Sequence, residues 1–462
     1  MTIGEGRQYG RTVEIDAFDP GADIARVKRA YDAVFDCERG VPLPKTTGAV
    51  ETVNSRVRQK YHVLVSTIRW QRFLLGAATG FGAGYLLWRT YEAGRALEAP
   101  PAALAPDAAA YGRIHRGLAV AGVLRSIAGT TALGYGPGGA AIDRLASHAP
   151  PLLRPAIFAA VLGTIDAIGE LPISFIEDHV VERRYGTSEQ SARDWVRDYA
   201  KSAALGAGVT AIVAMLFGNA VRRMPRSWPL FASLGTLPLL LLANIVVPVY
   251  VMPLFNRFEP LTGPLEVRLR ALASRYGVAD AQILRMDMSR QTKKANAFVT
   301  GIGKTHRIVL GDTLVENFTP DEIEFVVAHE LGHYVSHDTW RMIALAQALA
   351  TTLFFTARAV ISETQRERLR ERPLLLSRIY ATMAVGTQVL RPLLLAFTRS
   401  REWAADRFAV AATAQPRWGV DAFRRLRDQN LAEDDVPGWY EIFFSSHPSL
   451  GDRIAALEAA AE

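Results

Sequence analysis

Apolar segments long enough to cross a bilayer recur along this 462-residue sequence and constrain its fold more than any other feature. A helix needs about 20 residues to span the hydrocarbon core of a membrane. The clearest segment is WPLFASLGTLPLLLLANIVVPVYVM, which begins at Trp228. We predict spans near residues 68–88, 117–135, 155–176, 203–221, 228–252, 341–361 and 374–397. The chain is therefore expected to be an integral, multi-pass membrane protein with about seven spans.

The composition agrees with a mixture of membrane spans and water-exposed segments. Hydrophobic residues make up 49% of the chain and the mean hydropathy is +0.08, high for a cytosolic enzyme and low for a pure transporter. The single cysteine, Cys37, excludes an intramolecular disulfide and a cysteine-rich metal cluster. The net charge is +7, but the arginines collect in short loops and no basic stripe is interleaved with aromatic residues. We therefore expect no nucleic-acid partner.

The positions of the spans divide the chain into five parts. Residues 1–66 are an N-terminal soluble segment, 67–252 carry the first five spans, 253–340 are a soluble insert, 341–397 carry spans six and seven, and 398–462 are a C-terminal segment. Within the insert, NAFVTGIGKTHRIVLGDTL predicts two β-strands around a glycine-containing turn.

Two acidic residues interrupt the third span. Asp166 and Glu170 are one helical turn apart, and ionisable groups at such a depth usually face water or the interior of a bundle. We favour a water-filled cavity over a paired structural site. A transporter would also contain such groups, so they do not by themselves separate an enzyme from a transporter.

The segment HELGHYVSHD at residues 329–338 carries a metal-binding pattern. His329 and His333 are four residues apart, so on a helix both imidazoles project from one face and can reach one ion at about 2.0–2.1 Å. Glu330 is rotated from that face by roughly a third of a turn, where a carboxylate can take a proton from the attacking water. The pattern predicts a zinc site with Glu330 as the base; the alternative is an amphipathic helix whose histidines face other polar groups.

A catalytic zinc site needs a third protein ligand and one open position. His337 lies about 12 Å along the helix axis from His329, too far to share one ion. The best candidates are Glu402 and Asp406, which share a face if they lie on a helix, although such a pair alone is more often solvated. We expect Glu402 to be the third ligand and Asp406 to accept a hydrogen bond from a ligating histidine.

The order of the spans brings these motifs to the same side of the membrane. His333 precedes the span at 341–361, and Glu402 follows the span at 374–397. Two crossings return the chain to the side that it left. The predicted zinc site therefore lies at the membrane surface, at the mouth of one helical hairpin.

The sequence resembles the zinc-dependent, integral-membrane CAAX prenyl endopeptidases of type I and their bacterial relatives. AHELGH at 328–333 and the E-x-x-A-D pattern from Glu402 to Asp406 carry most of the resemblance. Further matching stretches are ELPISFIEDHVVERRYG at 170–186 with Trp195, PLFNRFEPL at 253–261, NAF at 296–298, RIVLGDTL at 307–314 and SHPSLGDRI at 446–454. The matches run in order from about residue 170 to the end of the chain.

This resemblance implies a predominantly α fold: a polytopic membrane helix bundle of about seven spans around a water-filled chamber, with a gluzincin-like α+β metalloprotease insert. It implies one Zn²⁺ per chain, held by His329, His333 and Glu402, with Glu330 as catalytic base.

Five further residues receive roles from the resemblance. Asp406 is implied as a proton donor, and His447 as a hydrogen-bond donor to the oxyanion of the tetrahedral intermediate. Arg453 would steady the substrate or the site. Asn296 and Ala297 would lie on an edge strand that pairs with an extended peptide.

The sequence is best explained as a zinc metalloendopeptidase that acts near the C-terminus of prenylated CAAX-type or similar membrane-associated peptides. Its expected partners are a peptide or protein substrate and the lipid bilayer. If the protein cleaves prenylated CAAX-type peptides, the substrate is lipidated. We expect the active site on the cytoplasmic side, although arginine clusters flank both sides of the spans. One alternative is a quality-control metalloprotease of the membrane without prenyl specificity; another is a polytopic transporter with structural histidines.

Overall fold

The computed structural model describes residues 107–224, 226–301, 305–360 and 374–462. The soluble segment predicted at 1–66 and the span predicted at 68–88 lie outside these residues. In the described part, long helices are accompanied by one small sheet, which confirms the predicted fold class.

Six described helices are long and apolar enough to cross a membrane. They match the six spans predicted within the described residues. In chain order, the helices are α1 (Ala108–Tyr135), α2 (Pro137–Ala146), α3 (Arg154–Phe175, continued by the π-helical turn Ile176–Val181 and by Glu182–Arg184), α4 (Ala192–Arg223), α5 (Trp228–Val246), α6 (Pro264–Arg275), α7 (Asp312–Asn317), α8 (Pro320–Val335), α9 (Asp338–Val360), α10 (Leu374–Thr413), α11 (Pro416–Asn430), α12 (Gly438–Phe444) and α13 (Leu450–Ala459).

The long helices pack in pairs, α3 against α4, α1 against α10 and α5 against α9. Aromatic contacts join different pairs: the ring of Phe217 lies 5.3 Å from that of Trp228 and 5.6 Å from that of Phe354, measured between centroids. Large apolar side chains such as Leu124 and Val389 remain exposed on the outside. Lipid can solvate such side chains, so the bundle has the surface expected of a membrane protein.

The acidic residues of the third span are paired and also border a cavity. Arg125 of α1 contacts Asp166 with a nitrogen–oxygen distance of 2.9 Å, and its other terminal nitrogen contacts Glu170. Both carboxylates line a cavity of about 520 Å³ between α3, α4, α9 and α10. The paired arrangement therefore occurs, whereas a water-filled cavity at these residues stays a prediction.

The sheet belongs to the segment that carries the histidine motif. Its strands are β1 (Phe258–Pro260), β2 (Gln282–Met286), β3 (Ala297–Thr300) and β4 (Arg307–Gly311), in the spatial order β1-β2-β4-β3. The strands β3 and β4 are antiparallel, as the predicted glycine-containing turn requires, and β2 and β4 are parallel. β3 lies at one edge, so one side of its backbone is free of strand partners in the described sheet.

Helix α8 forms because its N-terminal signals are strong and its inner face is apolar. Thr319 and Glu322 make a capping box, and Pro320 occupies the first turn. Phe325 and Leu331 are fully buried in the hydrophobic core beside the sheet. The helix therefore holds its histidines on a rigid element.

Helix α8 approaches α10 closely at Gly332. A Cβ atom at this position would lie 3.1 Å from the Cα of Ala405 and equally close to the side chain of Phe408. A larger residue would require these neighbours to shift by a few tenths of an ångström. The approach brings the turn containing His329 and His333 next to the turn containing Glu402.

Helix α10 runs without a break from Leu374 to Thr413. It therefore passes through the boundary at 397/398 that the sequence suggested between the last span and the C-terminal segment. The division of the chain into five parts stays a prediction, but the carboxylate of Glu402 is carried by the direct extension of a membrane helix.

Candidate active site

Three side chains that can ligate a metal converge between α8 and α10. The Nε2 atom of His329 lies 3.3 Å from Oε2 of Glu402, and Nε2 of His333 lies 3.3 Å from Oε1 of the same carboxylate. One potential ligand atom of each residue lies within 4.8 Å of the other two. The structure therefore brings together the three residues that the sequence predicted as ligands.

The donor set fits a divalent metal. Oε2 of Glu402 is buried and makes no hydrogen bond to any described residue, although two imidazole nitrogens and a guanidinium surround the carboxylate. An orphaned buried carboxylate oxygen is costly unless a cation compensates it. Two imidazoles and one carboxylate form the ligand set of several catalytic zinc sites.

His329 is oriented by a buried chain of charged groups. Its Nδ1 lies 2.8 Å from Oδ1 of Asp406, and Arg453 donates two hydrogen bonds to that carboxylate at 2.6 and 2.8 Å. A proton on Nδ1 leaves the lone pair of Nε2 free for a metal. Burial lowers the pKa of His329, but the nearby carboxylates of Asp406 and Glu402 outweigh burial and raise it to about 9. A metal must therefore displace a proton to bind.

Arg453 is buried, with 6% of its surface exposed. Its guanidinium carbon lies 4.2 Å from the ring centroid of Phe423, a cation–π contact, and its nitrogens are directed at Asp406. Of the two tasks implied by the resemblance, steadying the site agrees with these contacts.

His333 has an equivalent support that the sequence reasoning missed. Its Nδ1 lies 3.0 Å from Oδ2 of Asp338, and Nε of Arg401 donates to Oδ1 of that carboxylate at 2.6 Å. The chain turns between α8 and α9 at His337, which has a positive φ of 55°. This turn, which the sequence pattern does not reveal, returns Asp338 to the histidine five positions before it.

Glu330 lies between the three candidate metal ligands and the edge of the sheet. Burial raises the pKa of its carboxyl group, while the neighbouring histidines and a hydrogen bond from the backbone N–H of Val299 act in the opposite direction. A carboxylate of raised basicity suits general-base catalysis. The contact with Val299 also means that the free side of β3 faces this carboxylate.

The residues predicted to contact substrate lie at the start of β3 and near the carboxylate of Glu402. The backbone of Asn296 and Ala297 leads into β3, where the carbonyl of Asn296 accepts a hydrogen bond from Gly311 at 2.9 Å. His447 is exposed, and its Nε2 lies 3.5 Å from Oε1 of Glu402. An unpaired strand edge can pair with an extended peptide, and this imidazole lies beside a candidate metal ligand.

A second feature that the sequence reasoning missed is the support of the chain entering β3. The side-chain amide of Asn430 accepts from the backbone N–H of Ala295 at 2.8 Å and donates to the carbonyl of the same residue at 3.1 Å. The backbone N–H of Lys293 donates to the carbonyl of Thr187, and the ammonium of Lys294 contacts Glu182 at 2.8 Å. The segment before β3 is therefore fixed to α11 on one side and to the end of a membrane helix on the other.

The chain is similar to known membrane metalloproteases. Residues 261–461 match the model for peptidase family M48, and residues 106–257 match the model described as CAAX prenyl protease N-terminal, five membrane helices. The chain is 30% identical over 315 residues to the uncharacterized metalloprotease YhfN of Bacillus subtilis, covering 65% of this chain and 72% of that protein. It is 27% identical over 332 residues to CAAX prenyl protease 1 of Saccharomyces cerevisiae, covering 66% and 72%.

A solved structure has the same fold. The crystal structure of S. mikatae Ste24p superposes with a TM-score of 0.68 at 23% identity, covering 82% of this chain and 96% of that chain. The chain belongs to peptidase family M48. It is an integral, multi-pass membrane metalloendopeptidase that acts on a peptide or protein substrate, as the sequence predicted.

Replacing Asp338 by alanine should weaken metal binding by about 10–100-fold, because His333 loses the group that orients it. Competition with a chromophoric chelator measures this affinity. Asp421→Ala removes an exposed acidic group from α11 and should leave the affinity unchanged. Equal affinities in the two variants would mean that Asp338 does not orient the ligand.

Replacing Asn430 by aspartate should raise KM for a peptide by about tenfold, because an oxygen replaces the amide group that donates to Ala295. Steady-state kinetics should show a smaller change in kcat, and metal affinity should stay the same. The neighbouring exposed change Asp428→Asn is the matched control. A loss of metal, or an unchanged KM, would show that Asn430 does not position the strand for substrate.

Proposed function

We propose that the protein is a zinc-dependent endopeptidase that cleaves prenylated CAAX-type or similar membrane-associated peptides near their C-terminus. The observation that carries the proposal is the convergence of His329, His333 and Glu402 beside Glu330 and the free edge of β3. This combination supplies a metal site, a base and a surface for an extended peptide in one place.

Zinc is the metal that these ligands suit best. His329, His333 and Glu402 would hold the ion, and a fourth position would stay open to water or substrate. A bound zinc ion supplies Lewis acidity, which lowers the pKa of water and polarises a peptide carbonyl. Asp406 and Asp338 hold the two imidazoles so that their Nε2 atoms point at a common centre.

The protein's own groups would carry the proton transfers. Glu330 takes a proton from the attacking water and passes it to the leaving amine. The imidazole of His447 donates a hydrogen bond to the oxyanion that develops on the former carbonyl. The backbone of β3, entered through Asn296 and Ala297, pairs with the substrate and holds it extended across these groups.

The substrate class is supported by the relatives. Several proteins with which this chain shares 27–30% identity are named CAAX prenyl proteases, and their similarity covers the membrane helices as well as the peptidase segment. No described feature favours a quality-control protease over this substrate class. The location of the active site on the cytoplasmic side stays a prediction.

Glu330→Gln should retain one zinc ion per chain and lose nearly all peptide hydrolysis, because glutamine cannot accept the proton of water. His333→Ala should lose both zinc and activity. Metal analysis and a peptidase assay on the purified variants measure the two effects. Full hydrolysis by Glu330→Gln would refute its role as base.

The purified protein should hydrolyse a farnesylated CAAX-type peptide faster than the same peptide without the lipid, and a chelator should stop both reactions. Kinetics of the two peptides with and without chelator measure this preference. Equal rates for the two peptides would favour the quality-control alternative. Chelator-resistant hydrolysis would contradict the metal mechanism.

A further inference from the structure

A mostly apolar cavity lies between the long apolar helices and is not used by the mechanism above. It has a volume of about 520 Å³ and lies mainly between α3 and α4. Ligand-binding cavities commonly occupy about 300–1,000 Å³. Small residues such as Gly163 on α3 and Gly206 on α4 keep the space open, while Phe158, Leu162 and Phe217 supply apolar walls.

The cavity is polar at one end only. Because α3 and α4 are consecutive antiparallel helices, the end of α3 that carries Asp166 and Glu170 lies beside the start of α4. Tyr199 and Ser202 line the cavity there, and the hydroxyl of Tyr199 donates to the carbonyl of Ala167 at 2.5 Å. The opposite end is lined by apolar side chains. This polarity suits a molecule with an apolar chain and a polar end.

The polar end leads towards the peptidase segment. Tyr199 and Ser202 also line a second cavity of about 450 Å³, whose other walls include Gln291, Thr292 and Lys294. These residues immediately precede Asn296 and β3, the strand that faces Glu330. The two cavities therefore share Tyr199 and Ser202 in their walls, and the second cavity borders the segment that leads into β3.

We infer that the intramembrane cavity between α3 and α4 binds the isoprenoid chain of the substrate while the peptide lies against β3. The inference rests on the proposed function and extends it by assigning the site of the lipid. Burial of the isoprenoid chain would contribute binding energy remote from the scissile bond. Each buried methylene group would raise the affinity by roughly fivefold or less.

The charges argue against a phospholipid as occupant. The cavity-lining residues that the structure describes include the carboxylates of Asp166 and Glu170 but no lysine or arginine. Arg125, which reaches both carboxylates from α1, is already balanced by them. An anionic phosphate would therefore meet negative charge at the polar end, whereas an uncharged thioether joined to a peptide would not.

Two glycines of α4 allow a matched test. Gly206 lines the cavity, whereas Gly208 is about 200° further around the helix and does not. A Cβ atom at either position would meet no atom within 4 Å, so both can accept a side chain without a clash at that atom. Gly206→Phe would place a ring where the isoprenoid chain is proposed to lie, and Gly208→Phe would place it on another face of the helix.

The measured quantity is the ratio of kcat/KM for a farnesylated peptide to kcat/KM for the same peptide without the lipid. Gly206→Phe should lower this ratio by at least about tenfold, which corresponds to lost burial of about two methylene groups. Gly208→Phe should keep the ratio within about twofold of the wild-type value. Equal ratios in the two variants, or no preference in the wild type, would overturn the inference.

A binding experiment separates this inference from the proposed function. A peptide whose isoprenoid carries a photoreactive group should label the cavity-facing segments of α3 and α4 in the wild type, and Gly206→Phe should abolish the labelling. Labelling confined to other helices, or equal labelling by a photoreactive phospholipid, would overturn the assignment. Absence of chelator-sensitive hydrolysis would defeat the proposed function even where the labelling occurs.

Discussion

The catalytic arrangement depends on the close approach of α8 and α10. Gly332 allows the backbones of the two helices to meet, with Ala405 directly opposite. This contact sets His329 and His333 of one helix against Glu402 of the other. Because α10 is the extension of a membrane helix, the peptidase core and the bundle are not independent bodies joined by a linker. A change in the position of that helix would move a metal-ligand candidate.

Around this contact, the charged groups form two equivalent sets, one for each imidazole. Each imidazole has a carboxylate on its Nδ1 atom, Asp406 for one and Asp338 for the other, and each carboxylate is held by an arginine. Such paired burial avoids isolated charges, whose desolvation would be costly. It also fixes both rings, which leaves Glu402 with an oxygen directed at the space between them.

Much of this arrangement could be predicted from sequence, because spacing along a helix determines which side chains share a face. The four-residue interval between His329 and His333 and the order of two spans were sufficient to associate them with Glu402. The support from Asp338 was not predictable in the same way, since it requires a left-handed residue between two helices. Asn430 depends on tertiary packing between α11 and the chain before β3, and no local pattern marks it.

The arrangement of the three side chains predicts one divalent ion bound by two imidazoles and one carboxylate contributed by adjacent helices. Diffraction from crystals of the zinc-loaded protein, recorded on both sides of the zinc absorption edge, tests it most directly. We predict one anomalous peak per chain at about 2.0–2.2 Å from Nε2 of His329, Nε2 of His333 and a carboxylate oxygen of Glu402. A peak elsewhere, or one held by the histidines with the carboxylate of Glu402 turned away, would contradict it.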